Sequence, residues 1–109
     1  MLLSVKDKED FSQQLKSAGK KLVVIDFYAS WCGPCKKIAS TVEELATQHM
    51  DEVVVLKVNV DECEDVATDY NVSSMPQFFF IKNGKVVDSV TGASNEKLNE
   101  AFKKHLEVK

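Results

Sequence analysis

Residues 22–35 read LVVIDFYASWCGPC and predict a buried strand, a short loop and the start of a helix. The run Leu22–Tyr28 is almost wholly apolar, which is typical of a strand that is covered on both faces of a parallel sheet. The loop Ala29–Trp31 follows, and apolar side chains then recur at helical spacing from Cys32 to His49. Because functional residues in such sheets gather beyond the carboxyl ends of strands, we expect a site at this loop.

The other segments predict strands and helices in alternation around this unit. Four further strands are expected, at Leu2–Lys6, Val53–Val60, Gln77–Lys82 and Lys85–Val90, the last two joined by an Asn83-Gly84 hairpin turn. Three further helices are expected: one from an N-cap at Asp7 to Gly19, one from a capping box of Asp61 and Glu64 to Asn71, and one capped by Ser94. The order β-α-β-α-β-α-β-β-α predicts an α/β fold, a mixed five-stranded sheet with helices on both faces, in a single domain spanning residues 1–109.

Composition and charge narrow the class of protein. The chain has 109 residues, of which 44% are hydrophobic and 28% charged, as in ordinary globular domains. The net charge of −3, without a basic run, gives no support for a nucleic-acid or anionic-membrane partner. The apolar start Met1–Val5 is shorter than the roughly 7–15 apolar residues of a signal peptide. Three cysteines argue against a secreted disulfide framework, so we expect the protein in the cytosol, with the nucleus as a second compartment. A monomer is the default expectation.

Cys32 and Cys35 carry the predicted chemistry. Cysteines three residues apart at a helix start share one face and can form a disulfide. The helix dipole stabilises an anion by up to about 2 kcal/mol, so the pKa of Cys32 is expected to fall toward neutral pH. The Cys32 thiolate would attack a partner disulfide, and Cys35 would resolve the mixed disulfide. Gly33 leaves the approach open, Pro34 restrains the first turn at no cost in helix hydrogen bonds, and Lys36 adds a cation.

Two alternatives exist for this cysteine pair, and neither is favoured. A structural zinc site needs four ligands, whereas only Cys63, His49 and His105 remain, without the spacing of a zinc site. Two inert core cysteines do not fit the Gly-Pro pair and the helix start between them. We therefore expect no metal site.

The signature WCGPCK at residues 31–36 is highly specific. Together with Asp26, Lys57, Met75-Pro76, Asn83-Gly84 and Gly92 in the same order, the chain resembles the cytosolic animal type of the thioredoxin family over its whole length. The resemblance implies the thioredoxin fold, disulfide reduction in proteins, and no bound cofactor. It implies electrons from NADPH delivered by thioredoxin reductase, and protein substrates such as peroxiredoxins, methionine sulfoxide reductase and ribonucleotide reductase.

Asp26 interrupts the apolar strand and has two interpretations. It is either a solvent-facing strand residue or a buried carboxylate below the cysteine pair. Burial would raise its pKa and let it exchange a proton with Cys35. The resemblance implies this second role for Asp26 and places Lys57 close to it.

Met75-Pro76 precedes a strong strand, where a proline is ordinary and the sequence alone favours the trans peptide. The resemblance implies a cis peptide that faces the cysteine pair, with the Met75 backbone free to pair with an extended substrate segment. An apolar rim is then expected around Cys32. Its members are Trp31, Gly33, Pro34, Val60, Met75, Gly92 and Ala93, and core packing is the alternative for Val60 and Met75.

Two positions depart from the family pattern or add to it. Ser40 stands where the family usually has a proline that kinks the long helix, so a straighter or differently bent helix is expected. Cys63 is either a packing residue or an oxidisable thiol.

Glutaredoxin and disulfide-isomerase motifs, Cys-Pro-Tyr-Cys and Cys-Gly-His-Cys, are not found in the sequence. A subunit that binds partners without turnover remains an alternative function.

Overall fold

A computed structural model describes residues 1–106, so the last three residues of the predicted domain lie outside the described residues. Its elements follow the predicted order. The strands are β1 (Leu2–Ser4), β2 (Leu22–Tyr28), β3 (Val53–Asn59), β4 (Gln77–Lys82) and β5 (Lys85–Thr91). The helices are α1 (Lys8–Ser17), α2 (Gly33–Gln48), α3 (Glu64–Asp69) and α4 (Asn95–Leu106).

The strands form one mixed sheet in the order β1-β3-β2-β4-β5. The central strand β2 is parallel to β3, with Asp26 opposite Lys57, and antiparallel to β4, with Asp26 opposite Phe78. Because β1, β3 and β2 are all parallel, their carboxyl ends lie at the same edge of the sheet. The loops that follow β2 and β3 therefore meet at this edge.

Side chains alternate between the two faces of β2, and each face has its own core. Leu22 and Val24 pack with residues of α2 and α4 on one face. Val23, Ile25 and Phe27 pack with residues of α1 and α3 on the other. Continuing the alternation, Asp26 and Tyr28 project on the face that α2 covers, and this places both on the side of the cysteine pair.

Local signals in the sequence predicted most element ends. The Asp7 carboxylate accepts a hydrogen bond from the Asp10 N–H at 2.8 Å, and the Ser94 hydroxyl accepts one from Lys97 N–H at 3.1 Å. Asn71 and Asn83 adopt positive φ, 54° and 52°, as their turn positions require. Helix α2 runs without interruption through Ser40.

Predicted boundaries were wrong at four elements, by one residue in β3 and in β5, which end at Asn59 and Thr91. Strand β1 ends at Ser4 rather than Lys6, because the Lys6 N–H donates to the Asp10 carboxylate and the backbone leaves the sheet. The capping box at Asp61 is absent, since the N-cap of α3 is Cys63 and the Asp61 carboxylate accepts a hydrogen bond from the Trp31 indole instead.

Candidate active site

Helix α2 begins at the cysteine pair. Cys32 is the N-cap residue, Pro34 lies in the first turn, and a disulfide joins Cys32 to Cys35 with their Cα atoms 5.3 Å apart. The Cys32 Sγ accepts a hydrogen bond from the Cys35 N–H at 3.2 Å. This sulfur therefore occupies the place of a capping side chain, where unpaired amides and the helix dipole favour negative charge.

The surroundings of the two sulfurs are partly open. Cys32 and Cys35 are themselves buried, whereas Gly33, Pro34 and Lys36 are exposed. A Cβ at Gly33 would have no other protein atom within 4 Å, so packing does not require a glycine there. The turn between the cysteines is thus accessible to another molecule.

Asp26 is buried, with only 4% of its surface exposed, so the solvent-facing interpretation was wrong. Burial raises the pKa of its carboxyl to about 6, and the positive charge of Lys57 opposes that rise. Among the described residues, no group donates a hydrogen bond to its Oδ1. One carboxyl oxygen therefore has no hydrogen-bond donor from the described residues, and the raised pKa lets the carboxyl accept a proton close to neutral pH.

The peptide bond between Met75 and Pro76 is cis, as the resemblance implied and as the sequence alone did not. Met75 and Val60 are half-buried and pack against the cluster of Ala29, Cys32 and Cys35. Val60 also packs on the α1 and α3 core, as the core alternative predicted, and its place in a substrate-binding rim stays a prediction.

Gly92 and Ala93 follow β5 and differ in their surroundings. Gly92, at φ 93°, donates its N–H to the Pro76 carbonyl at 2.9 Å, which ties it to the cis peptide. Ala93 packs instead against the core between the sheet and helices α2 and α4. The structure therefore groups Val60 and Met75 with the sulfurs and leaves Ala93 outside that cluster.

Trp31 is 67% exposed, and its indole Nε1 donates to Asp61 Oδ2 at 2.8 Å. Asp61 therefore adjoins the candidate site, which the sequence did not predict because its spacing to Glu64 indicated a helix cap. A signal was present: Asp61 follows the carboxyl end of β3, at the same sheet edge as the Trp31 loop. Tyr28 was missed as well, since it reads as one more residue of the buried strand.

Cys63 lies away from the cysteine pair, on the other face of the sheet. It is 1% exposed, and its Sγ points to the carbonyls of Val5 and Lys6. Burial, reinforced by nearby carboxylates, raises the pKa of its thiol. These surroundings favour the packing interpretation over an oxidisable thiol.

Neither a metal-binding cluster nor a membrane-spanning helix is found among residues 1–106. Within residues 1–106, no group of three or more His, Cys, Asp and Glu side chains is arranged to hold a metal ion. None of the helices in that range combines the length and apolar character needed to cross a membrane.

Comparison with known proteins identifies the family. The thioredoxin family model matches residues 2–104. The chain belongs to the thioredoxin family. It is 55% identical to Thioredoxin-T of Drosophila melanogaster over 99% of this chain and 69% of that protein, and 48% identical to chicken thioredoxin over 94% and 97%. The solved structure of the Drosophila thioredoxin Deadhead superposes with a TM-score of 0.90 at 41% identity, covering 94% of this chain and 97% of the other.

Membership confirms the predicted family and the thioredoxin fold. Thioredoxins are protein disulfide oxidoreductases, and the Cys32–Cys35 disulfide stands at the position of their active site. The chain is thus a dithiol–disulfide oxidoreductase that works with thioredoxin reductase and disulfide-containing proteins.

Proposed function

We propose that Cys32 is the nucleophile and Cys35 the resolving thiol of this thioredoxin. The Cys32 thiolate attacks one sulfur of a substrate disulfide, forms a mixed disulfide and releases the first substrate thiolate. Cys35 then attacks Cys32, which releases the second substrate thiol and leaves the thioredoxin oxidised. The observation that carries this assignment is the Cys32 Sγ at the N-cap of α2, where it accepts the Cys35 N–H. Thioredoxin reductase would return the pair to the dithiol with electrons from NADPH.

Asp26 is proposed as the proton acceptor for Cys35 during resolution. A thiol attacks only after it has lost its proton, and the base that takes it works best with a pKa near the working pH. The pKa of Asp26, raised to about 6 by burial, and its projection on the face covered by α2 support this role. Lys57, directly opposite on β3, adjusts that pKa downward.

The substrate is proposed to dock on the rim around Cys32 as an extended segment. Apolar contacts beside the sulfurs would come from exposed Trp31, Gly33 and Pro34 and from half-buried Val60 and Met75. Pro76, Gly92 and Ala93 would complete the rim, and the Met75 backbone would pair with the substrate backbone as in strand addition. A shallow surface of this kind suits many protein partners.

Specific partners and the compartment are proposals drawn from the family resemblance. Peroxiredoxins, methionine sulfoxide reductase and ribonucleotide reductase are the proposed substrates, and the cytosol and nucleus, which keep thiols reduced, the proposed locations. We propose that the protein acts as a monomer.

Turnover of a protein disulfide tests the assignment. Insulin reduction coupled to NADPH and thioredoxin reductase should be abolished in Cys32→Ser. Cys35→Ser should instead accumulate a mixed disulfide through Cys32, visible by non-reducing electrophoresis. Cys63→Ser is the matched control and should turn over normally. If Cys32→Ser accumulated the mixed disulfide instead, the two roles would be reversed.

A further variant separates a reductase from a binding subunit. A double variant in which both cysteines are serine keeps the rim but has no redox chemistry. If that variant fulfilled the protein's role in cells lacking the native chain, turnover would not be its function. We expect that it does not.

A further inference from the structure

Tyr28 is the last residue of β2 and has no part in the proposed mechanism so far. It lies two residues after Asp26 and therefore projects on the same face of the sheet. Its half-buried side chain packs against the cluster of Ala29, Cys32 and Cys35. Tyr28 thus packs against the cluster that contains the cysteine pair and lies near the buried carboxyl.

Lys57 lies directly opposite Asp26 on β3, yet it forms no ion pair with Asp26 in the described part of the chain. Its ammonium lies instead over the ring of Tyr28, with Nζ 4.6 Å from the ring centroid. A cation at this distance from an aromatic face is attracted by the ring. The ring therefore competes with the carboxylate for the ammonium.

The other neighbours of the carboxyl offer no competing charge. On the β4 side Asp26 faces Phe78, and both cysteines of α2 are held in the disulfide, so Lys57 is the charged group that acts on the carboxyl. The charged neighbours of Tyr28 are Glu62, Asp26 and Lys57, with the Cys63 thiol also nearby, and its hydroxyl lies beside Asn59. Lys57 is thus the cation whose position decides the charge balance at Asp26.

We propose that Tyr28 is a positioning residue for the proton transfer at Asp26: its ring holds the Lys57 ammonium near the carboxylate while preventing an ion pair between them. The inference rests on the proposed role of Asp26. An opposite charge in direct contact would make the carboxylate a much weaker base. Held over the ring, Lys57 leaves Asp26 able to accept the Cys35 proton near neutral pH.

Titration of the Asp26 carboxyl in the oxidised protein tests this inference. We would follow its ¹³C resonance by NMR in the native protein, in Tyr28→Leu, which lacks the ring, and in Tyr28→Phe, which keeps it. The native midpoint should be about 6. Tyr28→Phe should leave it in place, and Tyr28→Leu should lower it by about one pH unit or more, as expected for a new ion pair. Equal midpoints in all three proteins would overturn the inference.

A second background shows whether the effect passes through Lys57. In Lys57→Met the carboxyl has no cation to pair with, so adding Tyr28→Leu should no longer lower the midpoint. A fall of the same size there would mean that the ring acts on Asp26 directly, against the inference. Circular dichroism checks folding, and Tyr28→Met replaces Tyr28→Leu if the latter unfolds.

The proposed role of Asp26 is tested separately, by turnover of Asp26→Asn. If this variant reduces insulin as fast as the native protein, the proton-acceptor role fails, whereas the titration still decides what Tyr28 does. If Asp26 is the proton acceptor and Tyr28 positions Lys57, Tyr28→Leu should shift the acid limb of the single-turnover pH profile by the same amount as the Asp26 midpoint.

Discussion

Asp26 shows how one residue can serve chemistry at a cost in stability. Its carboxyl is removed from water without an ion-pair partner among the described residues, and the pKa is accordingly raised to about 6. A raised pKa means that the folded state resists losing this proton. Above that pH the ionised carboxylate destabilises the folded protein, and below the unfolded value near 4 the effect vanishes.

Replacing Asp26 with Asn should therefore stabilise the protein in a pH-dependent way. The rise from 3.8 to about 6 corresponds to about 3 kcal/mol of added free energy of unfolding near pH 8. That gain should disappear near pH 3.5. Urea denaturation of oxidised protein at both pH values measures the difference. Glu44→Gln, at an exposed position of α2, is the control and should change stability by less than about 0.5 kcal/mol. A gain of equal size at both pH values would contradict the burial argument.

At the scale of elements, two similar patterns had different outcomes. Asp7 and Asp61 each precede another acidic residue by three positions, which is a helix-start pattern. Asp7 caps α1, whereas Asp61 accepts the indole N–H of Trp31, a residue far away in sequence. Capping is a local interaction that the sequence can predict. The sequence does not show that a distant side chain competes for the same carboxylate.

Asp7→Ala should destabilise the protein by about 1 kcal/mol through loss of the α1 cap, as measured by urea denaturation.

Asp61→Ala should leave the amide-exchange protection of α3 intact. It should instead change the fluorescence of Trp31, the only tryptophan in the sequence, because the indole loses its partner. Loss of amide-exchange protection across α3 in Asp61→Ala would instead show that Asp61 caps this helix. Ser12→Ala, at an exposed position of α1, is the control for Asp7→Ala and should not lower the free energy of unfolding.

The strands and the site differ in how far sequence predicts them. Apolar runs and turn residues predicted β2, β4 and the hairpin, and the spacing of Cys32 and Cys35 predicted their disulfide. The contact between Tyr28 and Lys57 depends on the register of β2 against β3, which tertiary packing sets. The same holds for His105, which is buried in the last turn of α4 and paired with Asp88 at 2.9 Å.

At the scale of the molecule, the sheet joins the two cores. Leu22 and Val24 of β2 belong to one core and Val23 and Ile25 to the other, so neither core can form without the same strand. The His105–Asp88 pair ties α4 to the edge strand β5. The radius of gyration, 12.6 Å, is close to the roughly 13 Å expected for one domain of this length.

We therefore expect the predicted single domain to unfold in one cooperative step. Trp31 reports on the active-site edge and far-UV circular dichroism on all helices and strands, so the two urea transitions should coincide. The shared strand gives the reason: removing β2 from one core exposes the apolar side chains of the other. The comparison should be made on reduced and on oxidised protein, because the disulfide lies at the same edge as Trp31. A fluorescence transition that came earlier in both states would show that the active-site edge unfolds separately from the sheet.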